Sequence, residues 1–396
     1  MRKQEVDVFE KYYSFSKLNA ENPYYEIKKQ NYLCAKDFYF SNKAELKSLP
    51  IRATLQTTDF CNLNCIMCQI HSQREKHTLQ QMSKSDFDKI VKKIFPTLIE
   101  VHPTNIGEPL ISPWFDYLAE KAFEYGVLLD ITSNGTLLTE QKINKILPCL
   151  LDIKISFDGF KKETFEQIRK GADYETVLKN IKNFIKLRKD SAGSATITLQ
   201  MTLFNFNYKE LPDIIRLAKD LGVDKVKAYH VCSYSPEIDN FSLIKNLEEF
   251  EETRQLSINL AKELDMPLGI AESPSSNPGE DVPKLVHQKC RLPWAECFID
   301  CDGKVYPCHS HDYKPFGNIL NDTAEYVWNS PYAQDLRISL ITGNTEKMIC
   351  SNCGNNYVRI DRELLVPYNK DDYLFNKTGD SNINWGKRHK QFLLNR

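Results

Sequence analysis

At 396 residues, with domains running at roughly 150 residues each, the chain has room for one large domain and smaller appendages. Its 41% apolar and 27% charged residues exclude collagen-like, low-complexity and disordered classes. With 52 Lys plus Arg against 53 Asp plus Glu, the net charge of -1 supplies no long-range field for nucleic acid or an anionic membrane, and neither is an expected partner. Glu5, Asp7 and Glu10 interrupt the stretch a secretory signal would need, and the apolar runs Ile146 to Leu151 and Ile153 to Phe157 are too short to span a bilayer. A cytoplasmic chain is predicted, in which 12 cysteines read as metal ligands or catalytic thiols rather than disulfides.

Residues 1–49 are polar and aromatic-rich, without a clear period, and read as a packed extension. A strand is predicted over Ala53 to Thr57, then a helix over Phe87 to Ile94 with Ile90, Val91 and Ile94 at helical spacing. There follow a strand near Glu100 to Pro103, a helix from Trp114 to Tyr125 ended by Gly126, and a strand from Leu128 to Thr132. Thr139 is a candidate N-cap for a helix reaching Leu147, where Pro148 stops it. Strand Asp152 to Phe157 leads into a helix ending at Gly171 and another over Tyr174 to Arg188. Strand Thr196 to Leu203, helix Glu210 to Leu221 and strand Lys225 to His230 complete six units. Right-handed crossovers would curl them into an α/β fold, a partial (β/α)6 TIM-like barrel, with reactive groups at the C-terminal strand ends. Period-two alternation places Asp152, Lys154, Ser156 and Asp158 on one strand face, so polar groups line the interior.

Ser273 to Asp281 reads as a linker, which divides the chain into an extension (1–49), a barrel core (50–272), a small C-terminal domain (273–366) and a tail (367–396). The cysteines divide the same way. Cys61, Cys65 and Cys68 follow the first strand as C-x3-C-x2-C, while Cys290, Cys297, Cys301, Cys308, Cys350 and Cys353 fall in the last third. Three thiolates on one loop leave one iron of a four-iron cluster open, whereas structural zinc takes four ligands. At the second group, two pairs of thiols leave zinc as an alternative to iron.

The first spacing resembles the radical S-adenosylmethionine (radical SAM) superfamily, whose loop of this form holds a 4Fe-4S cluster that chelates SAM. Gly107-Glu108-Pro109 is similar to the family's GGEP segment, with Ile106 in place of the first glycine; Ser133-Asn134-Gly135 resembles TNG, and Ser156-Phe157-Asp158-Gly159 resembles SxDG. The resemblance implies SAM contacts from Gly107, Glu108, Pro109, Ser133, Asn134, Ser156 and Asp158, from Arg169 to the SAM carboxylate, from Met67 to adenine, and from Gln200. Thr202 is a further candidate for adenosine or substrate contact. Lys154, Tyr229, His230 and Cys232 are candidate catalytic residues at or near the barrel mouth.

In the last third, Cys290-x12-Gly303-x4-Cys308, the later Cys350-x2-Cys353, Gly317-Asn318-Ile319 and Trp328-Asn329 resemble the C-terminal SPASM/Twitch extension of these enzymes. With no cysteine after Cys353, the shorter Twitch form is expected, a second 4Fe-4S cluster on Cys290, Cys308, Cys350 and Cys353, with Cys297 and Cys301 as buried thiols. Asp302 to Tyr306 reads as a hairpin turn entering a strand, which would present Cys290 and Cys308 together. The activity implied is generation of a 5'-deoxyadenosyl radical that takes hydrogen from substrate, with electrons from a flavodoxin- or ferredoxin-type donor. A small polar, carbohydrate- or cyclitol-like substrate to be oxidised, dehydrated or epimerised is expected; modification of a ribosomal peptide or protein is the alternative, and a non-catalytic electron-transfer protein the remote one.

Overall fold

A computed structural model of the chain describes residues 15–72, 78–191, 194–231, 236–243, 246–270, 290–308 and 314–345. The linker, the tail, and the sequence candidates Cys232, Cys350 and Cys353 lie outside the described residues. Six parallel strands form where the pattern places them: β1 (Arg52–Leu55), β2 (Glu100–His102), β3 (Leu128–Ser133), β4 (Leu150–Ser156), β5 (Thr196–Leu203) and β6 (Lys225–His230). Two further parallel strands flank them. β7 (Leu268–Ile270) adds beside β6, and β8 (Glu296–Ile299) pairs with the free side of β1. β8 returns through an antiparallel hairpin to β9 (Lys304–Tyr306), and β10 (Gly317–Asn318) closes a ten-stranded sheet of order β10-β9-β8-β1-β2-β3-β4-β5-β6-β7.

Local chemistry sets the element ends. Ser83 accepts the Asp86 amide at 3.0 Å and starts a helix over Lys84–Ile94, one turn earlier than periodicity indicates. Thr139 caps Glu140–Ile146 as expected, and Pro148 lies in the 3-10 turn Leu147–Cys149 that follows. The helix Lys162–Ile168 stops before the expected Gly171 because its last carbonyls are taken by another segment. Asn64 and Ile66 donate their amides to Lys170 and Ile168 at 2.9 and 3.0 Å, so the cysteine loop pairs with the end of this helix.

The C-terminal segment packs as part of the same sheet. Its turn returns the chain at Gly303, whose φ of +81° and whose close approach to Leu320 leave no room for a Cβ. Arg337, fully buried in the helix Pro331–Thr342, donates to the carbonyls of Pro293, Ala44 and Trp328 and so joins this segment to the N-terminal extension. The extension packs through the helix Tyr25–Phe40, where buried Lys28 donates to the Phe95 and Leu98 carbonyls.

Inside the barrel, alternation along the strands turns charged side chains inward. Arg52 on β1 reaches Glu100 at 2.7 Å, Asp130 at 2.9 Å and Glu296 at 3.2 Å, joining β2, β3 and β8. Lys154 on β4 pairs with Asp130 and, at 3.2 Å, with Asp152. Burial opposes ionisation of Asp130, but Lys154, His102 and Arg52 together outweigh it and hold its carboxyl below the usual range. Burial instead dominates at Glu100, whose carboxyl rises to about 7. Replacing Arg52 by Met leaves three inward carboxylates without their common cation and should cost about 3 kcal/mol, read as a lower midpoint of urea unfolding.

Candidate active site

β1 runs directly into the three cysteines, so their loop lies at the C-terminal end of the sheet. Cys65 is buried and Cys61 and Cys68 are half-buried, with a tight turn closed by the Cys68 amide on the Cys65 carbonyl at 3.1 Å. Three donors face the sulfurs: the Leu63 amide and Asn134 Nδ2 approach Cys61 Sγ at 3.5 and 3.9 Å, and Arg169 approaches Cys65 Sγ at 3.8 Å. Burial pushes the Cys61 thiol up to about 11 and raises Cys65, with Arg169 opposing at Cys65. Among the described residues no three Cys, His, Asp or Glu groups converge on a single-ion site. Three thiols on one loop suit a cluster in which each sulfur meets its own iron.

The loops after β2 and β3 brace the cysteine loop. Gly107, at φ +83°, lies where a Cβ would come within 2.7 Å of the Thr58 and Phe60 carbonyls, and the Glu108 amide donates to Phe60 at 2.9 Å. Only glycine permits that approach. The Glu108 carboxylate is buried; Oε1 accepts from Ser133 Oγ at 2.9 Å and the Leu110 amide at 3.1 Å, and Oε2 from the Asn134 amide at 2.7 Å. Burial raises its pKa, against the pull of these donors. Pro109 opens the short turn Pro109–Ile111 and is buried. Asn134 Nδ2 donates to Asn62 Oδ1 at 2.9 Å, so the β3 loop grips the cysteine loop as well.

Across the site, Arg169 bridges carboxylate and thiol. Its guanidinium meets Asp158 at 2.7 Å, and its buried Nε has no hydrogen-bond partner among the described residues. Asp158, fully buried, accepts the Thr202 amide at 2.6 Å, so β5 fixes the carboxylate that fixes the arginine. Ser156 and Gln200 are register partners, both half-buried, and Met67 is half-buried against the core.

The structure brings the predicted residues into two bonded groups that meet at the cysteine loop: Cys61, Asn134, Glu108 and Ser133 on one side, and Cys65, Arg169 and Asp158 on the other. Lys154 belongs instead to the ion network inside the barrel. Tyr229 and His230 end β6, with the His230 ring edge-on to Phe250 at 5.1 Å. Cys290 and Cys308 are half-buried, while Cys297 and Cys301 are buried. Cys301 Sγ donates to the Gln56 carbonyl at 3.2 Å. Sequence reasoning missed Gln56 and Asn207. Gln56 Oε1 accepts the Asn105 amide at 2.7 Å while Nε2 donates to the Thr58 and Ile106 carbonyls; Asn207 Nδ2 donates to the Asp158 and Thr202 carbonyls at 2.8 and 2.9 Å. Their one signal is polarity at the end of an apolar strand.

These residues fit the group that the cysteine spacing implies: three thiols, a fourth coordination position left to another ligand, and an unpartnered buried guanidinium nitrogen beside them. The comparisons agree. The Radical SAM superfamily profile matches residues 55–218, and the SPASM iron-sulfur cluster-binding domain matches residues 290–354. The tungsten-containing aldehyde ferredoxin oxidoreductase cofactor-modifying protein of Pyrococcus furiosus is 28% identical, over 76% of this chain and 86% of its own length. The subtilosin biosynthesis protein AlbA of Bacillus subtilis is 25% identical, over 73% of this chain and 61% of that one. The PqqA peptide cyclase of Bradyrhizobium diazoefficiens is 22% identical, over 67% of this chain and 68% of that one. Among solved structures, Streptococcus suis SuiB bound to its precursor peptide SuiA shares the fold at a TM-score of 0.56 and 15% identity, covering 81% of this chain and 73% of that one. Cysteine loop, barrel and paired modules thus agree: the chain is a radical SAM enzyme with a C-terminal SPASM iron-sulfur domain, and it uses SAM and 4Fe-4S chemistry.

Proposed function

We propose that this enzyme modifies a peptide or protein substrate, in preference to the carbohydrate-like substrate that the sequence alone suggests. Relatives named for a bacteriocin and for a peptide cyclase, both matched across two thirds or more of this chain, carry that reading. A physical observation supports it. Phe60, Phe160 and Phe206 stand out to solvent, 41%, 37% and 38% exposed, just beyond the C-terminal ends of β1, β4 and β5. Exposed aromatic surface at the strand ends is available for the apolar side chains of a peptide to pack on.

When bound, the reduced cluster and SAM supply a 5'-deoxyadenosyl radical that takes hydrogen from carbon. The chain's part is placement. Cys61, Cys65 and Cys68 would hold the cluster; Arg169, already oriented by Asp158, would present its guanidinium to the SAM carboxylate. Glu108 would organise the Gly107-Glu108-Pro109 and Ser133-Asn134 loops around the SAM amino group, with Ser156 serving the adenosine, Met67 the adenine, and Gln200 the face that adenosine and substrate share. Cys290, Cys308, Cys350 and Cys353 would hold an auxiliary cluster that accepts or relays an electron, and a flavodoxin- or ferredoxin-type protein would supply the first one.

The reading is tested by incubating reconstituted, reduced enzyme and SAM with short peptides encoded beside its gene. A change in peptide mass together with 5'-deoxyadenosine is expected; turnover of a sugar but of no such peptide would overturn it. Iron should stand at about eight per chain after anaerobic reconstitution and fall to about four in the Cys61→Ala, Cys65→Ala, Cys68→Ala variant, since each four-iron cluster depends on its own cysteine set. Arg169→Ala should weaken SAM binding about tenfold or more without loss of iron, because a charge-assisted pair is removed and no metal ligand is touched; equilibrium dialysis with labelled SAM measures it.

A further inference from the structure

The inward face of β6 carries Lys225, Lys227 and Tyr229, while Val226 and Ala228 are buried on the opposite face. Register places Lys227 beside Gln200 on β5 and Gly269 on β7, and Tyr229 beside Thr202. Gly269 leaves one flank of Lys227 without a side chain: a Cβ there would lie 3.3 Å from Lys227 Cγ.

The charges of the interior do not balance at this place. Glu100 and Glu296 are held by Arg52, and Glu296 also by Arg291 at 2.8 Å. Asp130 is held by Arg52 and Lys154, and Asp152 by Lys154 and the hydroxyls of Thr196 and Thr198. Asp158 is taken by Arg169, and Glu108 by two amides and a hydroxyl. Every inward carboxylate near β6 therefore has its partners, yet among the described residues neither Lys225 nor Lys227 forms a hydrogen bond or ion pair. Asp152 and Asp130 reach Lys227 through space, opposed by Lys154 and Lys225. Burial lowers the Lys227 ammonium to about 8. A half-buried cation in this position is stabilised by any anion that enters from the mouth. The side chains of Gln200 and Tyr229, one register step or two residues away, likewise make no hydrogen bond among the described residues and can complete a polar cradle.

We infer that Lys227, flanked by Gln200 and Tyr229, receives a carboxylate of the substrate, so that the enzyme selects an acidic group next to the carbon it attacks. The identification of that carboxylate as an acidic residue rests on the peptide reading above; the same chemistry is offered by a sugar acid. Lys227 is here a specificity-determining residue, and no proton or electron passes through it.

The test is calorimetric titration of the reconstituted, SAM-loaded enzyme with two matched pairs of probes: N-acetylglutamate amide against N-acetylglutamine amide, and glucuronate against glucuronamide. Within each pair acid and amide differ in one charged group. Wild type should bind the acid of the glutamate pair about tenfold more tightly than its amide, as expected for a charge-assisted contact. Lys227→Met should abolish that preference, and Lys227→Arg should retain most of it, with iron content confirming that both variants are folded. A preference for glucuronate alone, lost in Lys227→Met, would uphold the carboxylate receptor and overturn the peptide reading. Equal binding of acid and amide in both pairs, or a preference unchanged in Lys227→Met, would overturn the receptor and leave the peptide reading standing.

Discussion

Everything at the mouth of this barrel hangs on a carboxylate that has been taken out of water. Glu108 is 1% exposed, and the groups hydrogen-bonded to it are two amides and a hydroxyl rather than a cation. An ionised group buried so completely costs several kcal/mol unless its lone pairs are met. Meeting them fixes the β3 loop against the β2 loop, and Gly107 presses the β2 loop onto the carbonyls just before Cys61. Three loops from three strands therefore share one arrangement, set by the requirement that a single side chain be satisfied.

A second constraint comes from below. The barrel interior is ionic where many barrels are aliphatic, and Arg52 at its base joins β1 to both neighbours, β2 and β8. The carboxyl-terminal hairpin is thus bound to the core by a ladder and by charge at once. Cys301 in its turn reaches the Gln56 carbonyl, and Gln56 holds the loops that carry Gly107 and Asp59. The turn of the C-terminal hairpin and the loop that carries Cys61 are thus joined through Gln56, whose carbonyl meets Cys301 and whose side-chain amide meets Asp59.

How far the sequence discloses this depends on how local each feature is. The six core strands were legible because each has its own alternation or apolar run, and the cysteine loop because its ligands are adjacent in the chain. β7 and β8 were not: β7 has three residues, and all four of β8 are buried, so neither shows a period. Asp158 was legible as a site residue, yet its partner in Arg169 and its donor in Thr202, 44 positions away, were not. Gln56 and Asn207 were missed for the same reason, since an amide that satisfies backbone groups of a distant loop leaves no mark at its own position. Lys154 was read toward the reaction, but the carboxylates that engage it come from β3 and from its own strand. The substrate class is the least legible feature, because recognition built from loops at several strand ends leaves no contiguous pattern in the chain.

The pairing of β1 with β8 also sets a clock for synthesis. Arg52 and its partner Glu296 are 244 positions apart, so a ribosome adding about 5–20 residues per second needs roughly 12–50 s to deliver the second after the first. Through that interval the nascent chain carries Cys61, Cys65 and Cys68 on the loop that follows a strand with one edge still open. The cysteine loop is thus made long before the strand that completes the sheet beside it. Cluster insertion after release from the ribosome, in a cell that keeps its thiols reduced, is the order of assembly that such a sheet favours.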